Sequence, residues 1–149
     1  MSCTLKNSDY RYFEEAHKLA LTSEYPCFKI GCVLVYKNKV IGSGVNASKT
    51  CPDQKFYNRK YRNFRVGTKP PMDMIHAEIA ALRNVPYNVA QEVNWSKVKV
   101  YTYRISPGKS SGHGLSRCCP GCLHALKDKG VRKLFYTTDD GFCFETLDD

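Results

Sequence analysis

No stretch of the 149-residue sequence is apolar for long enough to cross a bilayer, and Met1-Ser2-Cys3-Thr4-Leu5-Lys6 lacks the apolar core of a signal peptide. A membrane-spanning helix is therefore not expected, and a cytoplasmic location is. Internal repeats, low-complexity tracts and linker-like stretches are also missing, so residues 1–149 are read as one domain with a single core. Acidic residues are the scarce charge: 14 Asp and Glu face 23 Lys and Arg, a net charge of +9. That surplus fits an anionic partner, nucleotide phosphate or a nucleic-acid backbone, and fits equally a basic surface that keeps the chain soluble. A second C-x-x-C is absent too. Of the 8 cysteines, Cys119 and Cys122 form a pair, whereas Cys3, Cys27, Cys32, Cys51, Cys118 and Cys143 are scattered. In a reducing compartment the scattered ones are apolar fillers or free thiols rather than disulfides.

Hydrophobic spacing predicts a helix from Ser8 to Leu21, with Tyr12, Phe13, Ala16, Leu19 and Ala20 on one face and Ser8 as its cap. Two strands follow, Ile30–Tyr36 and Val40–Val45, turned by Lys37-Asn38-Lys39. From Asn46 to about Pro71 the sequence is polar and aromatic without a hydrophobic period, and it is read as a long functional loop. A second helix is expected after Pro70-Pro71, capped by Asp73 and running through Ile79, Ala80 and Leu82. Then come a strand at Val98–Tyr103, a Gly- and Ser-rich loop from Ser106 to Ser116, and a helix from Pro120 to Gly130. The strand Lys133–Thr137, a tight turn at Asp139-Asp140-Gly141 and the strand Phe142–Glu145 close the chain. The fold class is α/β: a five-stranded mixed sheet with helices packed on its faces.

Two short motifs carry chemistry, His76-Ala77-Glu78 and Cys119-Pro120-Gly121-Cys122. Cys119 and Cys122 are three apart, so on a helix they share a face and can grip one ion. Amides at a helix start favour the thiolate a metal ligand requires. His76 makes a third ligand, and three protein ligands leave a zinc ion one position for water, whose pKa the metal lowers toward neutrality. Glu78 is then free to carry protons. In a regular helix it lies about 200° round the axis from His76, so the two converge only if His76 sits at the helix start. Taken singly, H-x-E is also an ordinary helix surface, and C-x-x-C is also a structural clip or a redox pair. A closed structural site needs a fourth ligand, for which His113, His124 and Cys118 are the candidates. Of these, His113 has the spacing to serve.

H-x-E followed by C-x-x-C is the known signature of zinc nucleobase deaminases. With Gly44-Val45-Asn46 after the second strand, the chain resembles the cytidine and deoxycytidylate deaminase superfamily over nearly its whole length. That resemblance implies a three-layer fold and a hydrolase acting on the C–N bond of a cyclic amidine, converting cytosine to uracil. It makes His76, Cys119 and Cys122 the ligands of Zn2+ and Glu78 the proton shuttle. It places Asn46, Ala77 and Cys118 at substrate-contacting positions, and it implies a homo-oligomer. Asn46 also reads as a turn residue tolerant of a left-handed backbone. Tyr103, Arg104 and Tyr136, at strand ends near the motifs, read as pocket or as core.

Two departures qualify the resemblance. The position of Cys118 is usually proline in this superfamily and is used through its carbonyl. The tight turn at Asp139-Asp140-Gly141 predicts an antiparallel final hairpin, as in nucleoside-type deaminases, whereas deoxycytidylate and transfer-RNA deaminases resemble the other arrangement.

The segment Asp53–Lys69 sets Lys55, Arg59, Lys60, Arg62, Arg65 and Lys69 among Phe56, Tyr57, Tyr61 and Phe64. It has three readings: a lid whose cations hold a nucleotide phosphate, a groove for single-stranded nucleic acid, and a plain solvated surface. The expected substrate is accordingly a small cytosine nucleotide or nucleoside. The alternatives are a deaminase of single-stranded DNA or RNA and a zinc-stabilised binding domain without catalysis. Cytosine is favoured over adenine by the resemblance alone.

Overall fold

The computed structural model describes residues 5–26, 28–62 and 74–147. Strand β1 (Lys29–Tyr36) pairs antiparallel with β2 (Lys39–Val45), and the two-residue connection Lys37-Asn38 has φ values of 49° and 63°. Two positive φ values in a two-residue hairpin define a type I′ turn, whose twist matches that of the strands. On its other side β1 pairs antiparallel with β3 (Lys99–Ile105), which pairs parallel with β5 (Lys133–Thr137). β5 then pairs antiparallel with β6 (Phe142–Thr146). The order is β2-β1-β3-β5-β6, and the short β4 (His113–Gly114) adds to the end of β3. The mixed sheet and its closing antiparallel hairpin are as the sequence predicts, with β4 as an addition.

Strand alternation divides the core. Val33, Val35, Tyr101, Tyr103 and Phe135 face α1 (Asn7–Ala20) and pack with Tyr12, Phe13 and Ala16. Cys32, Leu34, Val98, Val100, Leu134 and Tyr136 face the other way, toward α3 (Ala77–Arg83) and α5 (Pro120–Lys129). Three layers result. α3 lies so close to β2 that a Cβ on Gly44 would meet the backbone N of Ala81 at 2.6 Å. Only glycine permits that approach. Buried between α1 and the sheet, the Tyr101 hydroxyl donates to Asp9 Oδ1 at 2.5 Å, which satisfies a carboxylate the core could not otherwise hold.

Several boundaries differ from the sequence reading. α1 begins at Asn7 with Lys6 as N-cap, and Asp9, not Ser8, accepts the Lys6 backbone N–H at 2.8 Å. The expected loop after Asn46 contains a helix, α2 (Pro52–Tyr61). Its buried residues are Gln54 and Asn58, so no hydrophobic period announces it. Pro52 at its first turn is the sequence signal that marks the start. The second predicted helix is α3, with His76 as its N-cap. Asp73, Pro70 and Pro71 lie outside the described residues, as do Phe64, Arg65, Lys69, Cys3 and Cys27. After α3 come a short helix α4 (Tyr87–Glu92) and a single 3-10 turn, Trp95–Lys97. No helix among the described residues is long and apolar enough to cross a membrane.

Candidate active site

His76 ends an extended segment at φ −88° and ψ 160°, and Ala77 opens α3. Because His76 is the N-cap rather than a helical residue, the 200° helical separation from Glu78 does not apply, and both side chains reach the same place. Cys119 is likewise the N-cap of α5, and its Sγ accepts the backbone N–H of Cys122 at 3.5 Å. His76 Nδ1 lies 3.5 Å from Cys119 Sγ and 3.3 Å from Cys122 Sγ. Among the described residues this is the one cluster of His, Cys or acid groups placed to hold a metal ion.

The donor set fits zinc. A tetrahedral ion with Zn–S of ~2.3 Å and Zn–N of ~2.0–2.1 Å spaces its sulfur and nitrogen ligands by roughly 3.5 Å. The observed separations match that spacing before any ion is placed. Hydrogen bonding from the Cys122 side chain lowers the Cys119 pKa, and the His76 ring and the Cys122 amide add to it. Burial pushes the Cys122 thiol well up. The pair thus holds one ready thiolate and one proton to be displaced by a cation. Burial alone would lower His76, but its hydrogen bond to Cys119 and the charges of Glu78 and Cys119 outweigh that and raise it.

Glu78, 5% exposed, sits in the first turn of α3. Burial raises its carboxyl above the usual range, against the opposing pull of the nearby His76 ring. A buried carboxyl beside ligands and open to a cleft is suited to passing protons near neutral pH. Cys118 is buried as well, and burial together with the nearby Glu78 charge pushes its thiol well up.

Two polar supports were invisible to hydrophobic patterning. From α2, Gln54 Oε1 accepts the His76 backbone N–H at 3.0 Å. Its Nε2 donates to Asn58 Oδ1 at 2.9 Å and lies 3.7 Å from Cys122 Sγ. α2 is fastened to α5 by Tyr57, which donates to Asp128 at 2.8 Å, and by Tyr61 stacked on His124 at 3.7 Å between ring centroids. The second support is a hydroxyl cluster. Thr102 Oγ1 donates to the Ser116 carbonyl at 2.9 Å, and Ser116 Oγ accepts the Thr137 backbone N–H at 2.8 Å. These bonds tie the loop that delivers Cys119 to the ends of β3 and β5.

The cleft over this cluster has a cavity of about 120 Å³ lined by Phe28, Asn46, His76, Glu78, Arg104 and Cys119, among others. It shares Phe28, Asn46 and His76 with a neighbouring cavity of about 260 Å³, which adds Tyr25, Arg62 and Met74. Together they reach the ~300–1,000 Å³ of small-molecule sites. A larger cavity of about 490 Å³ beside β2 contains none of the chemistry-bearing residues.

Ala77 is fully buried and lines the cleft. Asn46 also lines it, but its side chain is largely engaged. Oδ1 accepts from the Ile30 backbone at 3.0 Å and from Ser23 at 2.8 Å, and Nδ2 donates to the Phe28 carbonyl at 3.0 Å. Its backbone is not left-handed: Lys37 and Asn38 are the only described non-glycine residues with positive φ.

Tyr103 does not join the cleft. Alternation turns it toward α1, where it stacks on His17 at 4.4 Å and packs against His113 and Phe142. His113 is on that same side, its Nδ1 2.6 Å from the Thr138 carbonyl, and His124 is stacked on Tyr61, so neither supplies a fourth ligand. Tyr136 faces the helix layer and donates to Glu145 at 3.1 Å. Lys55, Phe56, Arg59 and Lys60 occupy the outer face of α2 around a shallow depression. Among the described cations of this segment, Arg62, just past the helix, reaches the cavity beside His76.

Residues 6–138 match the family described as the cytidine and deoxycytidylate deaminase zinc-binding region. The chain belongs to that family. Comparison with curated protein sequences gives no match. Among solved structures, the dCMP deaminase of the cyanophage S-TIM5 in apo form is similar, at 18% identity and a TM-score of 0.54, covering 90% of this chain and 86% of that one. The same enzyme in complex with dCMP and dUMP aligns at 18% identity and a TM-score of 0.52, over 89% of this chain and 83% of that one. Cytidine deaminase from Burkholderia pseudomallei aligns at 17% identity and a TM-score of 0.57, covering 95% of this chain and 93% of that one. At these identities the likeness is one of fold. Family and fold together make this a zinc-dependent deaminase of α/β architecture.

Proposed function

We propose that the cleft hydrolyses the exocyclic amine of a cytosine nucleotide or nucleoside, giving uracil and ammonia. The observation that carries this reading is the convergence of His76, Cys119 and Cys122, all within 4.8 Å of one another, beside the buried carboxyl of Glu78 in a cleft. His76 Nδ1, Cys119 Sγ and Cys122 Sγ would hold the zinc. When bound, the ion polarises water into a nucleophile near neutral pH. Glu78 receives a proton from the attacking water and delivers it to the departing amino nitrogen. The water oxygen ends on C4, the C4–N4 bond breaks, and the amine leaves as ammonia. Phe28 and Ile30 wall the cleft with apolar surface, which strengthens electrostatic interactions there.

A nucleotide heads the candidate substrates because the similar cyanophage enzyme is known in complex with dCMP and dUMP. The antiparallel β5–β6 hairpin keeps nucleosides in play. A second reading, action on cytosine in a single strand, rests on Phe56. It is 56% exposed on α2, with the Lys60 ammonium 5.6 Å from its ring centroid, the pairing of ring and cation that stacks bases and meets phosphates. Self-association is part of the family likeness, and sedimentation of the zinc-loaded protein tests it.

The deciding experiment compares release of uracil from dCMP, deoxycytidine and a cytosine-containing oligonucleotide, with Glu78→Gln as control. Glu78-dependent product from the small molecules supports the proposal. Product from the oligonucleotide alone replaces it with the second reading. No Glu78-dependent product from any of them leaves a zinc-stabilised binding domain.

A further inference from the structure

Among the described residues, three arginines line the two neighbouring cavities, and their surroundings differ. Arg117 is spoken for: its Nε and one terminal nitrogen donate to the two oxygens of Glu145 at 2.8 and 2.7 Å. Arg62 sits in the outer cavity, beside His76 and Met74. Arg104 lines the inner cavity together with His76, Glu78 and Cys119. Its guanidinium carbon rests 4.9 Å above the Phe28 ring centroid. Its Nε is the only buried side-chain nitrogen or oxygen among the described residues without a hydrogen-bond partner.

An orphaned, buried charge-bearing donor is costly, and in a folded protein it calls for an explanation. Register explains how it got there. Arg104 is the residue of β3 opposite Gly114 of β4 and next to Ile105, at the point where the sheet stops and the loop to Cys119 begins. Alternation sends its side chain to the helix side of the sheet, the side of the zinc ligands, and away from the α1 side taken by Tyr103. Stacking on Phe28 occupies the guanidinium face and leaves its N–H edges for an acceptor. Planar N–H edges with no carboxylate partner among the described residues match the oxygens of a phosphate group.

We propose that Arg104 is the phosphate-recognition residue of this cleft, and that it makes the site prefer a cytosine mononucleotide over the corresponding nucleoside. This rests on the deaminase reading above and adds to it a specificity-determining side chain. It also sets phosphate recognition on β3, whereas a phosphate lid at Asp53–Lys69 is one of three readings of the sequence. Arg117 then serves to hold the loop and β6 together, and the Phe28 ring to keep the Arg104 fork in place.

The test uses the zinc-loaded protein, Arg104→Gln and Arg104→Lys. Steady-state turnover is measured on dCMP and deoxycytidine, and calorimetric binding on dUMP and deoxyuridine. Losing a charge-assisted contact should raise KM for dCMP in Arg104→Gln about 10- to 100-fold, with kcat within about threefold. Both constants for deoxycytidine should stay within about threefold, a split that a merely structural role would not produce. Arg104→Lys, which keeps charge but not the fork, should recover part of the loss. Equal damage to nucleotide and nucleoside, or none to either, overturns the proposal. If the wild type turns over neither substrate, the deaminase reading fails on its own account. The binding arm still decides this one: dUMP held more tightly than deoxyuridine by wild type but not by Arg104→Gln supports it, and equal binding of the two by wild type overturns it.

Discussion

Gln54 and His76 are joined by a hydrogen bond from the His76 backbone N–H to Gln54 Oε1 at 3.0 Å, while Gln54 Nε2 lies 3.7 Å from Cys122 Sγ. One fully buried amide on α2 therefore braces the ligand segments of both α3 and α5. Groups that orient metal ligands typically alter affinity about 10- to 100-fold when removed. Gln54→Ala should weaken zinc binding by that factor in a competition titration against a chelator. Unchanged affinity would mean that α3 and α5 hold the ligands unaided.

Zinc removal should loosen the fold as well as silence the site. His76, Cys119 and Cys122 come from two helix starts that no disulfide joins. Binding that favours the native state by ~2.7 kcal/mol at a hundred-fold excess over Kd corresponds to a Tm shift of roughly 5–10 °C in a chain of this size. Chelation should lower Tm by about that much and added zinc should restore it. In Cys119→Ser the chelator should have little left to change.

Glu78→Gln keeps the shape of the buried side chain and removes its proton transfer. Deamination should fall by ~10²–10⁴-fold, and the stoichiometry of bound zinc, read by metal analysis, should stay at the wild-type value. Loss of zinc together with activity would make Glu78 a ligand rather than a proton carrier.

The Arg117–Glu145 pair should give an acid-dependent contribution to stability. Hydrogen bonds from Arg117 lower the Glu145 pKa. A lowered folded-state pKa stabilises above the unfolded value, near 4.3 for Glu, and the gain is lost as pH falls through the folded value. The Arg117 side chain is 39% exposed, so solvent screening limits the pair to ~0.5–1 kcal/mol. Arg117→Gln should be less stable than wild type by that amount at pH 7 in denaturant melts, and the two should converge as pH falls through the lowered folded-state value of Glu145. A gap that stays constant with pH would assign the loss to packing.

Tyr101→Phe removes the hydroxyl that Asp9 accepts in the α1 layer. The Asp9 carboxylate keeps the Lys6 amide but loses its partner in the sheet. An under-satisfied buried acceptor costs ~1–3 kcal/mol. Chemical denaturation at pH 7 should show that loss.

The extent to which sequence foretold structure follows from which signals are local. The start of α5 at Pro120 and its end at Gly130 depend on φ preferences and are readable directly, as is the β1–β2 turn, read as Lys37-Asn38-Lys39 and found at Lys37-Asn38. α2 was not, because the face it buries is Gln54 and Asn58 rather than a hydrophobic stripe. A polar buried face makes sense only once the partners on α3 and α5 are known. Tyr103 and Arg104 are the sharpest instance. They are neighbours, both near the motifs in sequence, and strand alternation sends them to opposite sides of the sheet.

What the sequence determined by itself is the chemistry. H-x-E and C-x-x-C supply zinc-type donors and a carboxylate, and that signature is a property of residue kind and spacing. Tertiary structure decided the rest. It made His76 an N-cap, which lets it meet both cysteines and line the same cleft as Glu78. It buried Gln54 behind them and left Arg104 Nε in the cleft without a partner among the described residues. The reason is physical: donor identity resides in single side chains, whereas convergence, burial and an unsatisfied N–H exist only between segments far apart in the chain.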